Sequence, residues 1–453
     1  MNVQVATSVK VPNKWQWSEL WLKEDWWSIW LGFGIVLIAL GLFAAGSTLK
    51  PLAVTPPKWS TFAQLQQYFA QTWYWYLILY GVFTGLYTIS AAIIGYKPIT
   101  YFAGFTLVFI LSLFILIAGS WHLASNYGLE APLIALVLGL AIGNIGTLPN
   151  WLHGAFRTEY YIKTGIVLLG ATLPLTLIIT AGPIAFLQAT IVSITTFSVI
   201  FFVAVKYFGL DKRFASVLGG AGSVCGVSAA IAIGGAVEAK KEHVSIGISI
   251  VSLWAVVWIF VLPVVCKYLG LSPAVSGAWI GTSEFADAAG FAASAAIGDE
   301  SAIRTFTLMK VIGRDIWIGL WAFILSFLAS YYWDKQGNAD LTYKPSPTDI
   351  WLRFPKFVLG FFAACLLLSF VSASISEPTF QKALQSNVIG PIKDLRTWTF
   401  VFAFLCIGIT TRFKELGQFG WGPFWAFTAG VIVNVPLGYI LSVLVFGDYW
   451  SRI

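Results

Sequence analysis

Charge is what this sequence most lacks. Only 10% of its 453 residues are Asp, Glu, Lys or Arg, against 58% hydrophobic. Soluble domains usually carry about 25% charge, so a water-soluble globular protein of this size is excluded. The apolar stretches are long and continuous rather than alternating over ~10 residues, which excludes a transmembrane β-barrel. Cys225, Cys266, Cys365 and Cys406 all lie within or at the edge of apolar runs, so no disulfide framework is expected. There is no CxxC pair or Cys/His cluster, and no metal site is expected. His122, His153 and His243 fall at the ends of apolar runs or in loops, where a solvated ring is the ordinary state. A GxxxxGK[ST] phosphate loop is missing, which argues against a pump with its own ATPase. The net charge of +7 belongs to loops facing phospholipid, and no nucleic-acid partner is read from it.

What is present is a series of apolar segments of bilayer length. They cover 27–47, 74–94, 101–122, 130–147, 162–181, 184–207, 214–236, 244–266, 274–297, 304–332, 355–375, 397–411 and 422–446. The fold class is an all-α polytopic membrane protein with about 13 transmembrane segments. Residues 55–72 and 377–396 read as amphipathic helices at the surface. Lys and Arg in the short loops place the N-terminus in the cytoplasm and the protein in the inner membrane of the cell. Five units are expected. They are a cytoplasmic or interfacial segment, 1–26; an aromatic-rich accessory bundle, 27–125; a first transporter part, 128–333; a cytoplasmic linker, 334–354; and a second part, 355–453.

Two segments break the helical pattern in the same way. The first is Gly219-Gly220-Ala221-Gly222-Ser223-Val224-Cys225-Gly226-Val227-Ser228, the second Gly281-Thr282-Ser283-Glu284-Phe285-Ala286-Asp287. A shift of sixty positions lays Ser223 on Ser283 and Ala229 on Ala289. A weaker echo links Thr164–Gly170 with Phe402–Gly408, each followed by a Gly/Pro turn, Gly182-Pro183 and Gly420–Pro423. Inverted repeats with two discontinuous crossing helices, in core and panel domains, are the expected arrangement. Irregular backbone survives at membrane depth only in a protein interior or beside a wet cavity. Glycine lets the chain unwind, and unwinding frees N–H groups that suit an anion. Close helix packing also explains Gly222-x-x-x-Gly226.

Charges inside these apolar segments are costly, roughly 2.5–3.5 kcal/mol each on insertion scales, and so mark a function or a pair. Glu284 and Asp287, three apart, would share a helix face. Lys310 and Arg314, four apart and followed by Asp315, form the basic counterpart. A guanidinium there suits an oxyanion, or pairs an acid. The candidate substrate-binding residues are Gly222, Ser223, Cys225, Gly226, Ser228, Ser283, Lys310 and Arg314. The candidate ion-coupling residues are Glu284, Asp287 and Asp315. Asn144 and Asn434 are weaker candidates, equally explained by capping or a kink.

With those residues in view, the chain resembles a conserved bacterial family, the sulfate exporter family, over roughly residues 128–447. The marks are Gly139-x-x-x-Gly143-Asn144, Lys163-x-Gly165-Ile166-x-Leu168-x-Gly170, Gly209-Leu210-Asp211-Lys212 and Gly220-Ala221-Gly222-Ser223-Val224-Cys225-Gly226. The family is related in design to the sodium/proton antiporter and bile-acid symporter fold. The resemblance implies two crossing broken helices, a panel domain that often dimerises, and an anion as substrate. The chain departs from the family where Phe285 and Ala286 stand in place of a His-Glu pair, and in the spacing of Lys310 and Arg314.

The expected function is secondary active transport of a small anion, sulfate-like first, with bicarbonate, a sulfonate or a small organic anion behind. Coupling to H+ or Na+ is expected, and no cofactor beyond such an ion. Partners are the anion, the bilayer and a second copy of the chain. A channel is one alternative. An intramembrane serine hydrolase using Ser223 is another, but no histidine lies deep in a segment to serve as its base. The chain is therefore expected not to be an enzyme.

Overall fold

The computed structural model describes residues 17–126, 131–145, 148–329, 333, 351, 354–375, 377–412 and 420–453. In hydrocarbon a backbone must satisfy its own polar groups, and the helix does so within one segment. The described residues accordingly hold no β-strand, only an isolated bridge between Trp59 and Trp121. In chain order the first helices are α1 (Glu24–Ala44), α2 (Phe62–Ile94), α3 (Pro98–Gly119), α4 (Ala131–Ile145), α5 (Thr158–Gly170) and α6 (Leu175–Phe202). Then come α7 (Lys212–Ser223), α8 (Val227–Ala236), α9 (Lys241–Tyr268), α10 (Pro273–Ser283) and α11 (Asp287–Ala295). α12 (Glu300–Thr307) runs through a π-helical stretch, Leu308–Arg314, into α13 (Trp317–Leu328). α14 (Phe357–Ser374), α15 (Gly390–Thr410) and α16 (Trp421–Tyr439) follow.

Among the described residues, eight helical runs are long and apolar enough to cross a membrane. They are α1, α2, α3, α6 extended to Tyr207, α9, the run Glu300–Leu328, α14, and α16 extended to Val445. α4 and α8 are shorter apolar helices. The chain is a multi-pass helical membrane protein.

Three boundaries differ from expectation. The turn foreseen at Gly182-Pro183 is absent, and α6 runs straight through Pro183. The break comes earlier, before Leu175, where Pro174 stands at the N-cap. Proline suits a helix start and is tolerated inside a membrane helix when neighbours meet the freed carbonyl. Nor is 55–72 a separate surface helix. Residues from Phe62 onward belong to α2, which starts at a capping box of Thr61 and Gln64 and meets no proline before Ile94. Likewise 377–396 is not set apart, because Pro378–Leu384, a π-turn over Gln385–Ile389 and α15 are contiguous. Of the 334–354 linker only Trp351 and Phe354 lie within the described residues.

Close backbone contact joins the helices. A Cβ on Gly139 would stand 2.5 Å from the Leu405 carbonyl oxygen, and one on Gly143 2.4 Å from that of Ile409. From the other side, a Cβ on Gly408 would stand 2.6 Å from the Leu136 oxygen. Small residues serve this purpose in membranes, where lipid is as apolar as leucine and packing must hold helices together. Asn144 Nδ2 closes the seam by donating to the Leu140 and Thr411 oxygens, both at 2.9 Å. Gly165 and Gly170 bring α5 against Phe400 and against the Phe361 backbone in the same manner.

The first three helices share one buried apolar cluster with α4, α5, α14 and α15. Tyr101 and Tyr161 meet hydroxyl to hydroxyl at 2.9 Å. The foot of α1 is tied to α5 by Lys163 to Asp25 at 2.9 Å and by Arg157 to Glu24.

The glycine seam yields a stability test. Gly143→Val must push against the Ile409 backbone, and overpacking of this kind costs typically about 1–3 kcal/mol. Gly34→Val, at a position with nothing within 4 Å, is the control. The melting temperature of detergent-solubilised protein should fall for the first and hold for the second. Equal melting of the two would refute the seam.

Candidate functional site

Both glycine- and serine-broken segments are interrupted helices. α7 ends at Ser223, where its glycine-rich last turn gives way to Val224 at φ −122°, ψ −102°. Gly226 takes φ 75°, a conformation glycine reaches without strain, and α8 starts at Val227. α10 ends at Ser283, Glu284 and Ala286 are extended, and α11 starts at Asp287. The breaks meet: a Cβ on Gly226 would stand 2.7 Å from the Phe285 carbonyl oxygen. Glu284 and Asp287 therefore do not share a helix face as the spacing suggested. Glu284 lies in the extended link, and only Asp287 is helical.

Each break strands carbonyls at the end of its first half and N–H groups at the start of its second. A third element meets the carbonyls. Lys310 Nζ donates to the oxygens of Val224 at 2.8 Å and Glu284 at 3.0 Å. Arg314 Nε donates to Ser223 O at 3.2 Å, and Nη2 to Gly222 O at 3.3 Å. Its Nη1 reaches the oxygens of Glu284 at 2.8 Å, Thr282 at 2.9 Å and Gly281 at 3.3 Å. Both cations are fully buried, and each sits at the negative end of two helix dipoles. They project from the π-helical stretch, where the Asp315 N–H bonds back five residues to Lys310 O at 2.9 Å. Such wide turns are frequent at functional sites. The guanidinium is committed to backbone carbonyls in this structure.

The acids lie around these cations. Asp287 Oδ1 is 3.6 Å from Lys310 Nζ. Glu284 Oε1 accepts the Ala286 N–H at 3.3 Å. Glu284 Oε2 and both oxygens of Asp315 are buried with no hydrogen-bond partner. Cys225 Sγ and one carboxylate oxygen each of Asp287 and Asp315 fall within 4.8 Å of one another. Three carboxylates face two cations, so full ionisation leaves one surplus negative charge.

The other expected residues are placed as follows. Ser228 is half-buried at the start of α8, beside half-buried Val227. Ser223 Oγ turns back to Gly220 O at 3.4 Å. Ser283 Oγ lies where a Cβ on Gly438 would come within 2.4 Å, so it packs against α16. Gly222 packs on Ile200 and Phe427. A buried polar track between α6 and the run from α16 to Trp450 was not foreseen beyond Asn434. Gln188 Nε2 donates to Ser442 Oγ at 2.6 Å, Trp450 Nε1 to Gln188 Oε1 at 3.0 Å, and Asn434 Nδ2 to Thr196 Oγ1 at 2.8 Å. Its sequence signal is Gln188 itself, an amide deep in an apolar run that hydrocarbon would not leave unpartnered.

Comparison with known proteins adds kinship. Residues 103–426 match the family described as Conserved hypothetical protein 698. A UPF0324 membrane protein of Rhodopirellula baltica is 32% identical over 413 residues, covering 88% of this chain and 73% of that protein. One from Nitratidesulfovibrio vulgaris is 30% identical over 385 residues, 83% of this chain but only 65% of its own length. One from Nitrosomonas europaea is 29% identical over 489 residues and covers 97% of both chains. These names state a membrane location and no activity. No solved structure matches.

If Arg314 holds the carbonyl ends together, its loss is first a folding defect. Arg314→Ala strips the carbonyls of Gly222, Ser223, Gly281, Thr282 and Glu284, and should lower the melting temperature clearly, since each buried acceptor left unsatisfied costs about 1–3 kcal/mol. Arg314→Lys, with three donors instead of five, should fall between. Thermal unfolding in detergent reads both, and wild-type melting of Arg314→Ala would overturn the capping role.

Proposed function

This chain belongs to the bacterial membrane-protein family of Conserved hypothetical protein 698, and we propose that it is a secondary active transporter of a small anion, coupled to H+ or Na+. A sulfate-like oxyanion is the favoured substrate, with bicarbonate or a small organic anion or sulfonate next. The observation that carries this reading is the meeting of two interrupted helices around buried Lys310 and Arg314. Discontinuous helices at the bilayer midplane are the device by which secondary transporters hold a solute.

The anion seat is the start of α8. Its first N–H groups have no helical partner, the dipole there is positive, and Ser228 adds a hydroxyl at a half-buried position. Asp287 already occupies the first turn of α11, which makes that end the poorer seat for a negative solute. Glu284, Asp287 and Asp315 hold the coupling cation. An anion entering a site with surplus negative charge is repelled, and the repulsion is strong at the low dielectric of the interior. A proton or Na+ on the acids removes it, so each solute favours binding of the other. The resemblance to the sulfate exporter family supports the choice of anion. The same reading takes the chain as an inner-membrane homodimer with a cytoplasmic N-terminus. It counts the short helices as further crossings, about 13 in all, arranged as inverted repeats in core and panel domains.

Purified protein in liposomes should accumulate labelled sulfate or bicarbonate when a pH or Na+ gradient is imposed. Asp287→Asn and Asp315→Asn should each cut gradient-driven accumulation by about tenfold, within the 5–150-fold range of ordinary site-to-site coupling, while uptake by exchange persists. No accumulation of either anion under any gradient would remove the proposal.

A further inference from the structure

We propose that Cys225, Asp287 and Asp315 bind one soft divalent metal ion of the zinc class. The inference concerns binding alone and stands whether or not the protein moves an anion. The three ligand atoms lie within 4.8 Å of one another, each on a buried side chain. Ligand atoms around four-coordinate zinc lie roughly 3.3–3.8 Å apart, from its bond lengths, so small side-chain rotations bring the set together.

Asp315 is the independent pointer. Its carboxylate is fully buried, and neither oxygen has a hydrogen-bond partner. Buried carboxylates are otherwise paired, hydrogen-bonded or coordinated to metals. The two nearby cations are engaged elsewhere. Arg314 donates to carbonyls of both breaks, and Lys310 donates to Val224 and Glu284 and faces Asp287 at 3.6 Å. What remains is a carboxylate beside a thiol, with a second carboxylate alongside.

Sulfur decides the class of ion. Na+, Mg2+ and Ca2+ take oxygen ligands, whereas thiolate with carboxylate suits a borderline-soft ion such as Zn2+ or Cd2+. The proposed coupling proton or Na+ uses Asp287 and Asp315 without the thiol, so a soft metal held by all three competes with it. On binding, the Cys225 S–H proton leaves to solvent as the sulfur–metal bond forms. Three protein ligands leave a fourth position open to water. Val227, Ser228 and Ala286, next in sequence to Cys225 and Asp287, are half-buried rather than sealed. A metal here pins the first break, the start of α11 and the run beyond Arg314 to one another, and so holds the crossing in one arrangement.

Cadmium is the probe, because a Cd2+–thiolate bond has its own ultraviolet charge-transfer absorption. Chelator-stripped full-length protein in detergent should develop that band on titration and saturate at one ion per chain. Cys225→Ser should abolish the band. Asp315→Asn should weaken binding roughly 100-fold, at least the loss seen when an outer-shell partner is removed. Cys266→Ser, Cys365→Ser and Cys406→Ser should leave it unchanged. Asp315→Cys supplies a second thiolate and should tighten Cd2+ binding and deepen the band, which keeps the test open if a loss-of-ligand variant misfolds. Absence of the band in wild-type protein, its persistence in Cys225→Ser, or no gain in Asp315→Cys would overturn the site. Metal binding without anion accumulation in liposomes would sink the transport reading and leave this one standing.

Discussion

A carbonyl that loses its helical partner inside a bilayer has no water to turn to. The centre of this protein follows from that constraint. Two helices stop in the buried interior, at Ser223 and Ser283, and restart after three intervening residues. Their stranded carbonyls need donors, and Lys310 and Arg314 supply them from a single neighbouring run. Five N–H donors on one planar group let Arg314 serve both breaks at once. The cations in turn are tolerable in hydrocarbon only because so many acceptors converge on them. Broken helices and buried bases thus justify each other, and neither would be stable alone.

The acids complete that arrangement without balancing it. Lys310 spans from carbonyls to Asp287, yet Asp315 and one oxygen of Glu284 are left without donors. The acids lie on one side of the crossing and the start of α8 on the other, so the two sides differ in charge. The proposed coupling of a cation to an anion rests on that difference. Each lowers the electrostatic cost of the other, and the two interrupted helices supply the joint about which the surroundings can move.

Around this centre the scaffold is held by different physics. Between apolar helices in lipid there is little hydrophobic drive, so backbone proximity decides which surfaces adhere. Gly139, Gly143 and Gly408 let α4 and α15 touch along their main chains, and Gly170 does the same for α5 and α14. Ion pairs at the foot of α1 and an aromatic cluster around Tyr161 and Phe402 join the first helices to this frame. Of the four motifs that carry the family resemblance, Gly139-x-x-x-Gly143-Asn144 and Lys163-x-Gly165 therefore describe the frame, whereas Gly220 to Gly226 belongs to the first break.

The membrane class, the helical content and the two breaks were legible in the residues themselves, because each rests on local composition. Ten per cent charge admits no soluble core, and a run such as Gly219 to Gly226 is a weak helix former that breaks where Gly226 takes φ 75°. That Lys310, Arg314 and Asp315 belong to the same story was legible too, since charge deep in an apolar run must find a partner. Which partner was not legible. The acceptors of Arg314 lie 30 to 92 positions away along the chain, and nothing local tells a guanidinium to choose carbonyls over carboxylates. Ser223 and Ser283 looked equal to Ser228 in sequence, but helix rotation buried the first two and left Ser228 half-buried. The start of α6 at Leu175, and not beyond Pro183, was not legible either, because a proline can open a helix or sit inside a membrane one. Composition alone thus determined the solvent and the places where the backbone must yield. The tertiary fold decided who satisfies the exposed peptide groups, because that depends on distances between segments that sequence order does not encode.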